Sequence, residues 1–399
     1  MFEVLSTQKD LRVPAVSILL ICLGGLILTS PWATGKFNLY GYEPGSMPKE
    51  VRAALKQAGT ANNDKSELLR AASVLIAQGR ASGNSFIVEK ANAILASIPD
   101  AGNDASVLTA QATATQYLHK FDEALLLLER AIELDRTNLN ALLIRANILL
   151  VQGKIQEAQK ACLSIARAQQ YGLYVLCKTT AAAVGDDALE SASSLLSALK
   201  SGRLKSELAG YAYSVLGEIY LFNSDFDRAQ KMLELAQSHD PESLRVRMLR
   251  ADALFKTNNY FDALKVLNIQ ADTDALLVRR AIAYKHTGKR KTLAKAMTEL
   301  ENRVQGNLQA NHTGHAREEA LFYLDVVGDG KKALTRANVN WAFQREFEDA
   351  RLVLDAAFAA GSPDDAEKIM VWMQKQNVAA PELVSRLKKL GYNVEPAAI

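Results

Sequence analysis

The chain has 399 residues, too many for one compact hydrophobic core, so two or three domains or an elongated array are expected. Hydrophobic residues make up 49% of it and aromatic residues only 7%, which together with abundant alanine favours close-packed helices over β-sandwiches. Lysine and arginine (47) nearly balance aspartate and glutamate (44), and the resulting net charge of +3 indicates no nucleic-acid partner.

The first 47 residues predict a membrane anchor with its flanking segments. Residues 13–32 run for 20 residues without a charge. At about 1.5 Å rise per residue, such a helix crosses the roughly 30 Å hydrocarbon core of a bilayer. We therefore expect one transmembrane helix at 13–32, preceded by a short cytoplasmic N-terminus (1–12). A juxtamembrane linker (33–47), rich in glycine, proline and tyrosine, follows it.

A cleaved signal peptide is the alternative for this segment, because residues 33–35 offer a small-x-small cleavage site. The apolar run is longer than the ~7–15 residues usual in such peptides, which favours the anchor. Lys9 and Arg12 flank it closely on one side, and only Lys36 flanks it on the other. The positive-inside bias then places the large C-terminal domain across the membrane, which in a bacterium is the periplasm.

From about residue 48 onward the sequence has helical periodicity, and a small residue recurs at a fixed place in successive helical pairs. In the second helices of the pairs these residues follow one another at spacings of 34, 34, 37 and 34: Ala124, Ala158, Ala192, Ala229 and Ala263. Matching small residues in the first helices are Ala112, Ala146, Gly217 and Ala251. The best-formed unit is Tyr213–Pro241, in which two amphipathic helices flank the polar turn 223–225.

A recurring period of 34 in helical sequence resembles the tetratricopeptide-repeat family, over at least residues 105–267. The unit at about 172–200 departs from the pattern, since it lacks the usual aromatic residue before its second helix. The resemblance implies an all-α fold, a tetratricopeptide-like α-solenoid of about seven to eight helical hairpins. We expect it to cover residues 48–304, with an irregular loop at 305–315. Further hairpins and a helical cap are expected at 316–399.

The family's geometry also implies a partner-binding groove, because the first helices of successive hairpins line a concave face that binds peptides or helices. The residues implied to face inward are Tyr211, Ser214, Glu218, Phe222, Arg245, Met248, Asp252 and Arg279. They mix both charges with aromatic and apolar surface. The Lys/Asn/Arg clamp of the chaperone-binding members is missing, which argues against recognition of a free carboxy terminus. The alternative is that these side chains pack between helices.

No pattern of catalytic, cofactor-binding or metal-binding residues is found. The phosphate-binding loop, the dinucleotide fingerprint, the nucleophile elbow and the H-E-x-x-H pattern are all missing from the sequence. His312 and His315 have no third ligand nearby in sequence. Cys162 and Cys177, 15 residues apart, are predicted to be two separate buried cysteines; a disulfide in an oxidising compartment is the alternative.

These observations predict a membrane-tethered scaffold or adaptor without enzymatic turnover or a cofactor, located at a bacterial inner membrane. Its partners would be other membrane or envelope proteins, or peptides, and its oligomeric state stays open. One alternative is a cytoplasm-facing regulator of an envelope biosynthesis enzyme. This would resemble membrane-anchored repeat proteins that end in a cysteine-ligated metal knuckle, but no cysteine follows Cys177 here. The other is an enzyme with a site in 305–399, near Trp341, Arg351 and Trp372.

Overall fold

The computed structural model describes residues 47–82, 85–269, 273–309 and 313–394, and in these ranges the chain forms helices and turns without a β-strand. The predicted N-terminus, transmembrane helix and most of the juxtamembrane linker lie outside the described residues. Among the described helices, none combines the length and the apolar character needed to cross a membrane.

Twenty α-helices follow one another in the described residues. They are α1 (Lys49–Thr60), α2 (Lys65–Ser82), α3 (Ser85–Ala96), α4 (Ala105–Tyr117), α5 (Phe121–Leu134), α6 (Leu139–Val151), α7 (Ile155–Arg167), α8 (Tyr171–Ala182), α9 (Ala188–Lys200), α10 (Ala209–Phe222), α11 (Phe226–His239), α12 (Leu244–Lys256), α13 (Tyr260–Val266), α14 (Asp274–His286), α15 (Arg290–Gln309), α16 (Ala316–Leu321), α17 (Gly330–Trp341), α18 (Phe347–Ala360), α19 (Glu367–Gln376) and α20 (Pro381–Lys389). A π-helical turn, Phe322–Val327, continues α16, and a 3₁₀ turn, Pro363–Ala366, leads into α19.

From α2 to α19, consecutive helices form nine pairs within the described residues, so the all-α prediction is confirmed there. The expected number of hairpins, seven to eight, is slightly low. The segments on both sides of the strict 34-residue period form pairs as well.

The pair α10/α11 shows why the sequence folds in this way. The Cβ of an alanine at Gly217 would lie 2.6 Å from Leu233 Cγ, so the glycine lets the two helices approach closely. The turn between them has Ser224 at φ 60°. The Asp225 side chain then accepts a hydrogen bond from the Arg228 backbone N–H and caps α11.

The chain divides into two compact units. The first unit contains the described residues up to 148 together with 302–309 and 313–314. Its core is formed by α1 to α4, with Val51, Leu75, Leu95 and Tyr117 among the fully or almost fully buried residues. The Tyr117 hydroxyl donates to the Gly79 carbonyl at 3.2 Å, which satisfies this buried polar group.

The second unit contains residues 149–301 and the described residues from 315 onward. In it, the first helices of successive pairs pack side by side in the order α8, α10, α12, α14, α16, α18. Helix α20 packs against α18 at the end of this row. The shared face of these first helices is where the resemblance places the groove.

Two sequence-based predictions are wrong in these units. Residues 305–309 were expected to begin an irregular loop, but they continue α15 as far as Gln309. Leu300, Val304 and Asn307 are buried at helical spacing there, which holds this segment in the helix. Cys162 and Cys177 are not separate cysteines but form a disulfide that joins α7 to α8, with 5.7 Å between the Cα atoms.

Candidate partner-binding site

The eight predicted groove residues all lie on three neighbouring first helices of the second unit. Tyr211, Ser214, Glu218 and Phe222 are on α10, Arg245, Met248 and Asp252 on α12, and Arg279 on α14. The six residues from Tyr211 to Met248 in this set are buried, and only Asp252 and Arg279 are partly exposed. The structure therefore gathers them on one row of helices, although their side chains contact other parts of the protein.

The four charged residues of the groove pair with one another across neighbouring helices. Arg245 donates to both carboxylate oxygens of Glu218, and Arg279 donates to both oxygens of Asp252 at 2.8 and 2.7 Å. In each pair the partners are 27 residues apart. The two acids are 34 residues apart, as are the two arginines. The repeat thus places the same ion pair between α10 and α12 and again between α12 and α14.

The Glu218–Arg245 pair is almost fully shielded from water, with 10% and 6% of the two side chains exposed. Burial raises the pKa of Glu218, and the positive charge of Arg245 opposes this rise. The Arg245 guanidinium also lies 5.8 Å from the centre of the Tyr211 ring. Removing one member of such a pair leaves an uncompensated buried charge, so the pair fixes how α10 and α12 pack.

The remaining groove side chains are also engaged. The Phe222 ring stacks on Phe347 from α18, with 3.9 Å between the ring centres. The Ser214 hydroxyl donates to the Tyr211 carbonyl of its own helix at 2.7 Å. These contacts match the alternative in which the residues pack between helices.

A second cluster of charges, which sequence reasoning missed, comes from α16 and α18. Arg317 donates to both oxygens of Asp349 at 2.6 and 2.7 Å and to Glu346 at 2.6 Å. Burial raises the pKa of Glu346 to about 7 in spite of Arg317. The sequence carried a partial signal, because Arg317, like Arg245 and Arg279, lies on the first helix of its pair. The long helix α15 shifts it out of the 34-residue period.

The beginning and the end of the second unit meet at a set of contacts that we name the closing contact. The Val151 carbonyl accepts a hydrogen bond from the Arg345 backbone N–H at 2.8 Å. The Gly153 carbonyl accepts one from the Trp372 indole N–H at 3.0 Å. The Val184 carbonyl accepts a third from the Ala379 N–H at 2.9 Å.

A cavity of about 80 Å³ lies beside the closing contact, on the inner face of the second unit. Its apolar lining includes Leu150, Ile155, Val184, Val215 and Trp372. Charged groups from three helices also line it: Glu218, Arg317 and Glu346. What the structure shows at the predicted groove is therefore a small cavity between packed side chains.

The residues considered for an enzymatic site in 305–399 make packing contacts and ion pairs. The rings of Trp341 and Trp372 meet edge to face, 5.3 Å apart. Arg351 pairs with Glu348 at 2.6 Å and with Asp355 at 2.9 Å. His315 Nδ1 lies 2.8 Å from Asp274 Oδ2, while His312 is outside the described residues. Within the ranges described, no group of three or more metal-ligating side chains comes together.

Pairs of helices that repeat along the chain, with their first helices side by side, define a helical-repeat protein. A family model described as "Tetratricopeptide repeat" matches residues 109–172 and 214–275. The chain is therefore a tetratricopeptide-repeat protein, and the resemblance noted from the 34-residue spacing is confirmed. No curated protein sequence matches the chain.

Solved structures with a similar arrangement include other proteins of this kind. A tetratricopeptide repeat protein from Parabacteroides merdae matches with 13% identity and a TM-score of 0.39, covering 77% of this chain and 99% of that one. The Cut9–Hcn1 hetero-tetramer of the APC/C matches with 11% identity and a TM-score of 0.38, covering 86% and 83%. Yeast Tom70 matches with 12% identity and a TM-score of 0.40, covering 86% and 84%.

Proposed function

We propose that this protein is a membrane-tethered scaffold that binds other membrane or envelope proteins during the assembly of a complex, without catalytic turnover. The observation that carries this proposal is the row of first helices in the second unit, because arrays of this kind present a continuous face to peptides and helices. The apolar segment 13–32 supplies the tether. Confinement to the membrane raises the effective concentration of the scaffold toward partners in the same bilayer.

The disulfide between Cys162 and Cys177 supports placing the repeat domain on the oxidising side of the membrane. Disulfides persist in the periplasm and are rare in the cytoplasm, where thiols are kept reduced. The bond therefore favours the exported arrangement over the alternative of a cytoplasm-facing regulator. It agrees with the orientation that Lys9 and Arg12 predict.

Alkaline phosphatase fused after residue 399 tests the orientation in bacteria. The proposal predicts phosphatase activity, because this enzyme becomes active only after export. A green fluorescent protein fused at the same position, which fluoresces when it folds in the cytoplasm, serves as the reciprocal control. Bright fluorescence with an inactive phosphatase would place the domain in the cytoplasm and reject the exported scaffold.

Binding is tested with the full-length chain purified from membranes in mild detergent. We expect at least one membrane or envelope protein to be retained at a fixed ratio and to bind again after both components are purified separately. A chain lacking residues 13–32 should retain less of it, because the tether no longer holds the scaffold at the membrane. If no protein rebinds directly, the scaffold proposal is wrong.

A further inference from the structure

We infer that the closing contact is a clasp, which opens as a unit while the helical pairs remain folded. The inner face of the second unit is then accessible only in the open state. This inference rests on the proposed function for what the open face binds, but the opening itself needs no partner.

The bonds of the clasp are separable from those that hold the helices. The carbonyls of Val151, Gly153 and Val184 accept their cross-unit hydrogen bonds at the ends of helices or in turns. Gln156 adds side-chain and backbone bonds to Gln376 and Lys375, between 3.1 and 3.3 Å. Losing these bonds leaves the i→i−4 hydrogen bonds of the helices intact, so the clasp can open without unfolding a pair.

Packing on the two sides of the clasp differs in quality. Inside the pairs, Ala229, Leu233 and Gly217 interlock without exposed surface. At the clasp, the cavity of about 80 Å³ remains and charged groups are held out of water. Burying an ion pair costs desolvation energy that its own attraction only partly offsets, whereas unfilled volume forfeits dispersion contacts. The clasp is therefore the weaker of the two kinds of contact.

Burial of the groove residues supplies the reason for an opening step. Phe222 is covered by Phe347, and Glu218 lines the cavity beside Trp372. A peptide cannot reach these side chains while Arg345 and Trp372 hold the turn 151–154. Opening the clasp moves α18 and α19 away from α10 and uncovers that part of the face.

Two backbone amides report directly on the clasp, because their only printed acceptors lie across it. The Arg345 N–H donates to Val151, and the Ala379 N–H donates to Val184. We would measure their hydrogen–deuterium exchange in the detergent-purified full-length chain by mass spectrometry with electron-transfer fragmentation. We expect both amides to exchange at one common rate, at least about tenfold faster than the amides of Leu216 and Tyr220 within α10.

Gly153→Ala is the variant that should open the clasp. An added Cβ would lie 2.6 Å from Arg345 Cβ and 2.7 Å from Trp372 Nε1. Gly288→Ala is its matched control, since the two glycines have φ of +71° and +70° and no atom lies within 4 Å of the Cβ position at Gly288. We expect Gly153→Ala to accelerate exchange at Arg345 and Ala379, with α10 unchanged, and Gly288→Ala to leave both amides as in the wild type.

Trp372→Phe is a second variant in case Gly153→Ala does not fold, because it removes the indole hydrogen bond and keeps an aromatic ring. Faster exchange at Arg345 and Ala379 alone supports the clasp. Exchange at the rate of the α10 amides in the wild type overturns it, as does a uniform loss of protection in the variants. Because no partner is present, a negative result here leaves the scaffold proposal standing, and failed partner binding leaves a positive exchange result standing.

Discussion

Single residues decide how closely the helices of a pair approach, and Gly217 is the clearest case. We predict that Gly217→Ala destabilises the chain by about 1–3 kcal/mol, because its Cβ would lie 2.6 Å from atoms of the buried Leu233. Gly306→Ala is the matched control, since Gly306 is also helical and has open space around its Cβ position. That change should stabilise the chain by about 0.5–1 kcal/mol. Urea unfolding of the two variants measures both effects, and equal shifts would reject the close contact at Gly217.

The disulfide is a second feature that rests on individual residues. It closes a loop of 15 residues, so reduction should lower the free energy of unfolding by about 3 kcal/mol. Denaturation with and without reductant measures this. A variant with Cys162→Ala and Cys177→Ala should show no response to the reductant. If both thiols of the unreduced, unfolded chain react with an alkylating reagent, the bond is not formed.

Spacing in the sequence predicted which helices form pairs but not which cysteines and charges meet. The alanines at a period of 34 mark close helix contacts, and these contacts repeat because each pair is built in the same way. Cys162 and Cys177 carry no such period, and their pairing depends on how two successive helices, α7 and α8, face each other. The ion pairs were within reach, because Glu218 and Asp252 recur at the same period as Arg245 and Arg279.

At the scale of elements, the Glu218–Arg245 pair ties α10 to α12. Arg245→Met should destabilise the chain by about 3–5 kcal/mol, because it leaves the Glu218 carboxylate buried without its partner. The double variant with Glu218→Met should recover most of this loss, since a buried pair can be replaced by apolar side chains at little cost. Unfolding free energies of the single and double variants measure the coupling. A double variant no more stable than the single one would contradict this account.

The contact of α18 with its neighbours should respond to pH through Glu346. Its carboxyl faces Arg317 from α16, Asp349 on α18 itself, Glu218 from α10 and Arg245 from α12. Burial raises its pKa from 4.5 to about 7, so the folded state holds a proton that the unfolded state releases. The stability that this group contributes is therefore present below pH 4.5 and is lost as the pH rises through 7.

Glu346→Gln should accordingly reduce the fall in stability between pH 4.5 and pH 7.5, because glutamine does not titrate. Glu207→Gln, which alters an exposed glutamate of the same unit, is the control and should leave the fall unchanged. Urea unfolding across this pH range measures both variants. The same pH dependence in the wild type and Glu346→Gln would show that Glu346 does not bind a proton on folding.

At the scale of the whole molecule, the sequence predicted the repeat array but not the closing contact. Gly153 and Trp372 are 219 residues apart, and no local pattern connects a turn with an indole over that distance. The inner residues were placed on the correct helices because the family's geometry depends on the repeat alone. Their burial could not be foreseen, because it arises where the last pairs of the second unit meet its first turn.

Partner binding through the inner face is the central claim, and site-specific photocrosslinking in cells tests it most directly. A photoreactive phenylalanine analogue at position 222 would lie in the buried face, and one at position 261 would lie on an exposed surface of α13, where Phe261 is 65% exposed. The account predicts an adduct with a membrane or envelope protein from position 222, strengthened by Gly153→Ala, and none from position 261. An adduct from position 261 alone would contradict it and move partner binding to the outer surface.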